Sequence, residues 1–377
     1  MPVYLDHNAT TRVDPRVLEA MLPYLSGPYG NASSLHRYGR AARDAVEAAR
    51  AQVAALVGAQ PRQLVWTSGG TESNNLALKG VAALHPNGRV LYGITEHPAV
   101  MEAAESLRAQ GREVEAVAVD ASGLVDGPRF TRQLAAGPVC LVALMRANNE
   151  TGVIQDLAAV AAQAHAAGAR LHVDAVQAAG KIPVDVVALG ADLMSLSSHK
   201  LYGPKGIGAL IVGDDVELAP LHHGGAQEKG LRGGTENVAG IVGFGVAAEL
   251  AQLELETRAQ QARALRDRLE AGLRALPGIR IFGDGVERLP NTLQFAVSGY
   301  DGEALLMQLD RKGFAVSSGS ACASGSGEPS HVLIGMGLSR EVAKGAIRVS
   351  IGKDNTSAEI DQFLAALQPF TAQGRVA

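Results

Sequence analysis

The stretch Ser197-Ser198-His199-Lys200-Leu201-Tyr202-Gly203-Pro204-Lys205-Gly206-Ile207-Gly208 decides the reading of this chain. It follows a short apolar run, Asp192-Leu193-Met194-Ser195-Leu196, that has the character of a strand. A lysine therefore sits at the lip of a strand end, among hydroxyls, a histidine and a Gly/Pro-rich turn. Desolvation at such a place lowers the pKa of an amine and makes it a nucleophile, which is the chemistry of a Schiff base with an aldehyde. Asp174, 26 residues upstream, closes another apolar strand in His172-Val173-Asp174-Ala175-Val176-Gln177. An acid that pairs with a pyridinium nitrogen and a Schiff-base lysine are the two groups that pyridoxal 5′-phosphate needs from its protein. Either alone is a weak signal. Together, in this order, they predict an enzyme that holds this cofactor.

Working outward, short apolar strands alternate with helices from about residue 63. Strands are predicted over 63–67, 89–94, 113–119, 139–145, 170–174, 192–196 and 209–212. Helices are predicted to start at 71 and 98, and a third to span 157–167. This alternation predicts an α/β fold with a mostly parallel seven-stranded sheet covered on both faces. Its ligand belongs beyond the carboxyl ends of the strands, where Asp174 and Lys200 fall. An extended arm over 3–11 precedes this region. A helix over 15–25 follows the arm, with Asp14 as N-cap and Pro15 at the first position, and a second helix spans 36–57. Beyond a Gly-rich stretch, 222–234, one long charged helix over 238–276 is predicted to lead into a smaller α+β unit. That unit has strands over 280–282, 292–297 and 347–351 and helices over 302–312 and 357–366. The expected division is an arm, 1–14, packing with the small domain, a large domain, 15–250, and a C-terminal domain, 251–377.

A chain of 377 residues is long for one hydrophobic core, which agrees with two domains. Its 47% apolar and 19% charged residues are those of a soluble globular protein. A net charge of −4 without a basic stripe gives no general attraction to nucleic acid or anionic membrane. No apolar run is long enough for a membrane span, and Met1-Pro2-Val3-Tyr4-Leu5-Asp6 lacks the regions of a signal peptide. A cytoplasmic location is the expectation. The 2 cysteines make no disulfide framework, and no Cys/His cluster has zinc-ligand spacing, so no metal is expected. Cys140, within Pro138-Val139-Cys140-Leu141-Val142-Ala143-Leu144, reads as a small buried hydrophobe.

Further stretches gain meaning beside Asp174 and Lys200. Thr67-Ser68-Gly69-Gly70-Thr71-Glu72-Ser73-Asn74-Asn75 follows a strand and opens a helix, so Gly70 and Thr71 lie where N–H groups and hydroxyls bind phosphate. It is neither a Walker loop nor a dinucleotide fingerprint, and alone it reads as a structural N-terminus. His97, at a strand end in Thr95-Glu96-His97-Pro98, is placed to stack on a flat ring or to move a proton. Asn148 and Asn149 follow a strand, where an amide can hold a ring hydroxyl. Cys322 lies in Ser317-Ser318-Gly319-Ser320-Ala321-Cys322-Ala323-Ser324-Gly325-Ser326-Gly327, whose small residues predict an exposed, mobile loop and a nucleophile carried on it. Arg348 interrupts the apolar run Ala346-Ile347-Arg348-Val349-Ser350. Facing inward, it would need a partner such as a carboxylate; facing outward, it would need none.

The chain resembles the cysteine desulfurases of the NifS/IscS type, pyridoxal phosphate enzymes of fold type I. The resemblance rests on Tyr4-Leu5-Asp6-His7-Asn8-Ala9-Thr10-Thr11, Gly30-Asn31-Ala32-Ser33-Ser34, the segment around Thr71, Thr95-Glu96-His97, Asn148-Asn149-Glu150, Asp174-Ala175-Val176-Gln177, the lysine segment, Arg232-Gly233-Gly234-Thr235, and Cys322 followed by Glu328-Pro329-Ser330-His331-Val332-Leu333. It implies that Lys200 carries the cofactor, Asp174 faces the pyridine nitrogen and His97 stacks on the ring. It implies Gln177 and Asn149 at the ring oxygen, and Gly70, Thr71, Ser197 and His199 at the phosphate. A second subunit would supply Thr235, which implies a homodimer. Arg348 and Asn31 would hold the carboxylate of L-cysteine. Cys322 would take the sulfur as a persulfide and hand it to an acceptor such as an iron–sulfur scaffold protein, with L-alanine released. Selenocysteine lyase, another class V aminotransferase or lyase, and a catalytically silent scaffold are the rival readings.

Overall fold

The structure, a computed structural model, describes residues 2–27, 29–318 and 328–371. Seven strands form the central sheet in the order Leu64–Thr67, Gly208–Val212, Leu193–Ser197, Arg170–Asp174, Val139–Met145, Arg89–Gly93 and Val114–Val117. Only Gly208–Val212 runs antiparallel to its neighbours. The near-continuous apolar strands are explained by cover on both faces. Helices Gly70–Leu84 and Pro98–Ala109 bury Leu76, Leu78, Val81, Val100 and Leu107 on one face. Helices Arg37–Leu56, Leu157–Ala166 and Val238–Leu253 bury Val46, Val53, Leu157, Val160, Ile241 and Phe244 on the other.

A second sheet, antiparallel, runs Ser317–Ser318, Ala346–Ser350, Thr292–Val297, Ile279–Ile281. It has its own core, built with Leu265, Leu269 and Leu273 of helix Leu255–Arg274 and Ile360, Phe363 and Leu367 of helix Ser357–Thr371. The arm joins the two regions. Val3–Tyr4 pairs in parallel with Phe314–Ala315, and Asp6 bridges Ser350. The arm then crosses to the lysine segment, where the Thr11 amide donates to the His199 carbonyl at 3.0 Å.

Two expectations need correction. The helix expected over 238–276 is two helices, Val238–Leu253 and Leu255–Arg274, bent by 71°. No Gly or Pro marks the break. The carboxylate of Glu254, gripped at 2.6 Å by both Arg16 and Arg258, sits at the corner. Helix Gly127–Ala135 was not foreseen; it is short, and its Asp126 cap, accepting from the Arg129 amide, and Pro128 in its first turn mark its start. In the Gly-rich stretch 222–234, Glu228 and Lys229 adopt left-handed φ of 45° and 59°. Such strain persists only where the surroundings over-determine it. Here Glu228 is buried against Arg50 at 2.8 Å and accepts from the Trp66 amide.

Candidate active site

A cavity of about 330 Å³ opens at the carboxyl ends of the parallel strands. Of the residues chosen from sequence, Gly70, Thr71, His97, Asn149, Asp174, Gln177, Ser197, His199, Lys200 and Arg348 line it. Asn31 and Thr235 are exposed and lie away from it, and Cys322 lies outside the described residues.

Asp174 is the last residue of its strand and is buried. One carboxylate oxygen accepts from the Asn74 side-chain amide at 2.7 Å, the other from the Val176 amide at 2.9 Å. Both oxygens of this buried carboxylate are thus held in place by hydrogen bonds. Lys200 ends the single turn Ser198–Lys200 that follows strand Leu193–Ser197. Its amine donates to the carbonyls of Asn8 and, at 2.7 Å, Ala9. The chain reverses at Tyr202, whose φ of 64° is strained for a residue with a side chain. Its amide donates to the Thr11 hydroxyl, its own hydroxyl accepts from the Lys353 amide, and Arg258 and Lys353 lie over its ring. These contacts hold the turn that aims Lys200.

Helix Gly70–Leu84 begins at the cavity with Gly69 as cap and no side chain capping it. Its opening amides have no intrahelical acceptor, and with the helix dipole they form an anion site beside Thr71, Ser197 and His199. Gly70 is required there. A Cβ would lie 2.8 Å from Val176 Cγ2, so any other residue must displace that side chain or shift the helix start.

The His97 ring accepts the Ala99 amide at Nδ1, 3.1 Å away, which puts the proton of the neutral ring on Nε2. Burial, and then the charges of Lys200, His331 and Arg348 against the opposing pull of Asp174, lower its pKa and keep it neutral. Arg348 faces inward and is 2% exposed. It donates to Asp6 at 2.6 Å and to the Asn149 carbonyl at 3.1 Å, while its Nε has no partner among the described residues.

Sequence reasoning gave no role to Asp6, Asn8, Asn74 or Lys181. Asp6 and Asn8 stood in the arm segment and Asn74 in the helix-opening segment, but polar residues in an arm or a first helical turn carry no signature of what they face. Lys181 follows a Gly and precedes Ile-Pro, which marks only a turn.

The model of the class-V aminotransferase family matches residues 3–363. Cysteine desulfurase 2 of Trichormus variabilis is 45% identical over 99% of this chain and 94% of its own length. The cysteine desulfurase IscS of an Anaeromyxobacter species is 48% identical over 96% of this chain and 90% of its own. The solved structure of a NifS-like protein superposes with a TM-score of 0.92 at 40% identity, covering 99% of this chain and all of that one. The chain belongs to the class-V aminotransferase family. Its fold is pyridoxal phosphate fold type I, and pyridoxal 5′-phosphate is its cofactor.

The cavity fits that group. A buried, oriented carboxylate suits a pyridinium nitrogen, an uncapped helix start suits a phosphate, and a lysine between them suits an aldehyde. A volume of about 330 Å³ is within the ~300–1,000 Å³ typical of small-molecule sites.

Beneath His97, Glu96 is fully buried. One oxygen accepts from the Met145 amide at 2.6 Å and the other has no partner among the described residues. Burial, and then the charge of Asp174, raise its pKa well above the usual carboxylate range. The folded state therefore binds this proton at a pH where the unfolded state has released it, and the stability it contributes is lost as pH rises. A Gln at this position does not titrate. The stability of Glu96→Gln relative to wild type should thus grow from about pH 5 upward, by at most ~1.4 kcal/mol per pH unit. Urea unfolding of both proteins between about pH 5 and 8 checks this; a difference that stays flat with pH contradicts it.

Proposed function

We propose that this chain is a cysteine desulfurase that takes sulfur from L-cysteine, releases L-alanine and carries the sulfur as a persulfide on Cys322 to an acceptor. The observation that carries the reading is the cavity itself, with Asp174, His97, Lys200 and the inward guanidinium of Arg348 around one space. Relatives that align over almost the whole chain bear the name cysteine desulfurase.

Bound pyridoxal phosphate supplies the electron sink for the carbon that bears the substrate amine. Asp174 keeps a proton on the ring nitrogen, and the start of helix Gly70–Leu84 holds the phosphate. Gln177 and Asn149 contact the ring oxygen, and His97 covers the ring face. Arg348 holds the substrate carboxylate through N–H groups left over by Asp6 and Asn149, and its fork geometry suits that ligand. Lys200 moves the proton at the substrate Cα. The Cys322 thiolate attacks the substrate sulfur: an S–S bond forms, the C–S bond breaks, and its electron pair is protonated to complete the methyl group of alanine. L-Cysteine and one thiol thus give L-alanine and one persulfide.

The reading includes a homodimer in which Thr235 and Asn31 complete the site of the partner copy. Helix Pro15–Ser26 supports this. Leu18, Leu22 and Leu25 form an exposed stripe on it, with Tyr29, Leu35 and Tyr38 exposed just beyond. An apolar surface of this kind marks an interaction site. Light scattering in solution should give the mass of two chains, and Leu22→Glu should shift it toward one; a wild type with the mass of one chain contradicts the dimer. The sulfur acceptor, such as an iron–sulfur scaffold, and a cytoplasmic location belong to the same proposal. So does the division near residue 250, close to the helix break at Glu254.

The test is release of alanine and sulfide from L-cysteine with dithiothreitol, for wild type beside Cys322→Ala. Wild type should yield both products and the variant almost none. A variant as active as wild type removes Cys322 as sulfur carrier and leaves a lyase or aminotransferase of another substrate.

A further inference from the structure

Lys181 lies just beyond Gln177 and Gly180 and is half-buried beside the cavity. Its amine donates to the side-chain carbonyls of Gln177 at 2.6 Å and of Asn8 at 2.9 Å. Both partners are neutral, and among the described residues no carboxylate forms an ion pair with it. The charges that reach it are those of Lys200 and Arg348, which with burial push its pKa well down. A buried amine with cationic neighbours is costly, so its retention calls for a role.

Its geometry supplies one. The carboxamide of Gln177 is held at both ends. Its oxygen faces the Lys181 amine, and its nitrogen donates one N–H to the backbone carbonyl of Asn8 at 2.9 Å. Flipping the amide would set its carbonyl against the Asn8 carbonyl, losing that hydrogen bond, and would turn its NH2 toward an amine that now donates to the carboxamide oxygen. Asn8 is itself fixed, since the Asn291 side-chain NH2 donates to its side-chain oxygen at 3.1 Å and its own side-chain NH2 donates to Thr292 at 2.8 Å. The one donor left to Gln177, which lines the cavity, is therefore a single N–H.

We propose that Lys181 is a positioning residue that locks the Gln177 amide so that an N–H, and never the carbonyl, faces the cofactor. The position thereby selects a hydrogen-bond acceptor, a deprotonated ring oxygen. The proposal rests on the cofactor site described above. Without Lys181 the amide is free to turn, and its carbonyl then meets that oxygen with repulsion.

The test is the dissociation constant of pyridoxal phosphate, followed by the visible band of the loaded protein, for wild type, Lys181→Met, Gln177→Leu and the double variant. A hydrogen bond to a charged acceptor is worth ~1.5–3 kcal/mol, so Lys181→Met should bind about ten- to a hundredfold more weakly. In the Gln177→Leu background the same change should have an effect within about twofold, because residues that act through one another are not additive. Lys181→Arg also offers only donors and should recover most of the affinity; it decides the matter if the Met variant does not fold by circular dichroism. Full affinity in Lys181→Met, multiplying effects in the double variant, or an Arg variant that is folded yet as weak as Gln177→Leu each overturns the proposal. A wild type that develops no visible band with pyridoxal phosphate overturns the cofactor reading instead.

Discussion

One buried asparagine ties this molecule together. Asn8, 1% exposed, uses every polar atom it has. Its amide donates to Ser350 at 2.9 Å, and its side-chain NH2 donates to Thr292 and to the Asn149 carbonyl. Its side-chain oxygen accepts from Lys181 and Asn291, and its backbone carbonyl accepts from Gln177 and Lys200. Ser350 and Thr292 belong to the antiparallel sheet; Gln177, Lys181 and Lys200 belong to the loops of the parallel sheet. The two cores, each apolar and self-sufficient, thus meet through a polar knot on the arm. In a dry setting a fully satisfied network of this kind fixes position as well as adding energy.

The charges of the cavity follow from that arrangement. Asp174 stands at the end of a central strand with both oxygens already engaged. Arg348 comes from the other sheet and is oriented by Asp6 and the Asn149 carbonyl, both close to Asn8 in the chain or in space. Lys200 lies between them, under the arm. Asp174, Arg348 and a neutral His97 line one cavity, an arrangement already in place before anything binds. Such preorganisation is the main electrostatic lever that an enzyme has.

The strands and the lysine turn were legible in the sequence because burial on both faces leaves a simple apolar signal, and because Lys200 and Asp174 need particular chemistry at strand ends. Gly70 was legible as the glycine that opens a helix at a strand end, and the structure adds a steric reason for glycine there, a close approach to Val176. What was not legible depends on partners distant in the chain. Asn8 meets residues 141 to 342 positions away, and no local pattern marks that. The break at Glu254 escaped because a bend held by two arginines, Arg16 and Arg258, involves no helix-breaking residue. Helix Gly127–Ala135 escaped because it is only 9 residues long and opens on Gly127 and Pro128, which read as a turn.

The proposed function stands on Lys200, held under the arm at the cavity that Asp174 and Arg348 also line, as the amine that joins the cofactor. Lys181, a second amine hydrogen-bonded to Asn8, is the internal control. Loading the protein with pyridoxal phosphate, reducing it with borohydride and mapping the modified peptide by mass spectrometry tests this directly. The account predicts the pyridoxyl group on Lys200 alone. A group found on Lys181, or protein left unmodified, would contradict it.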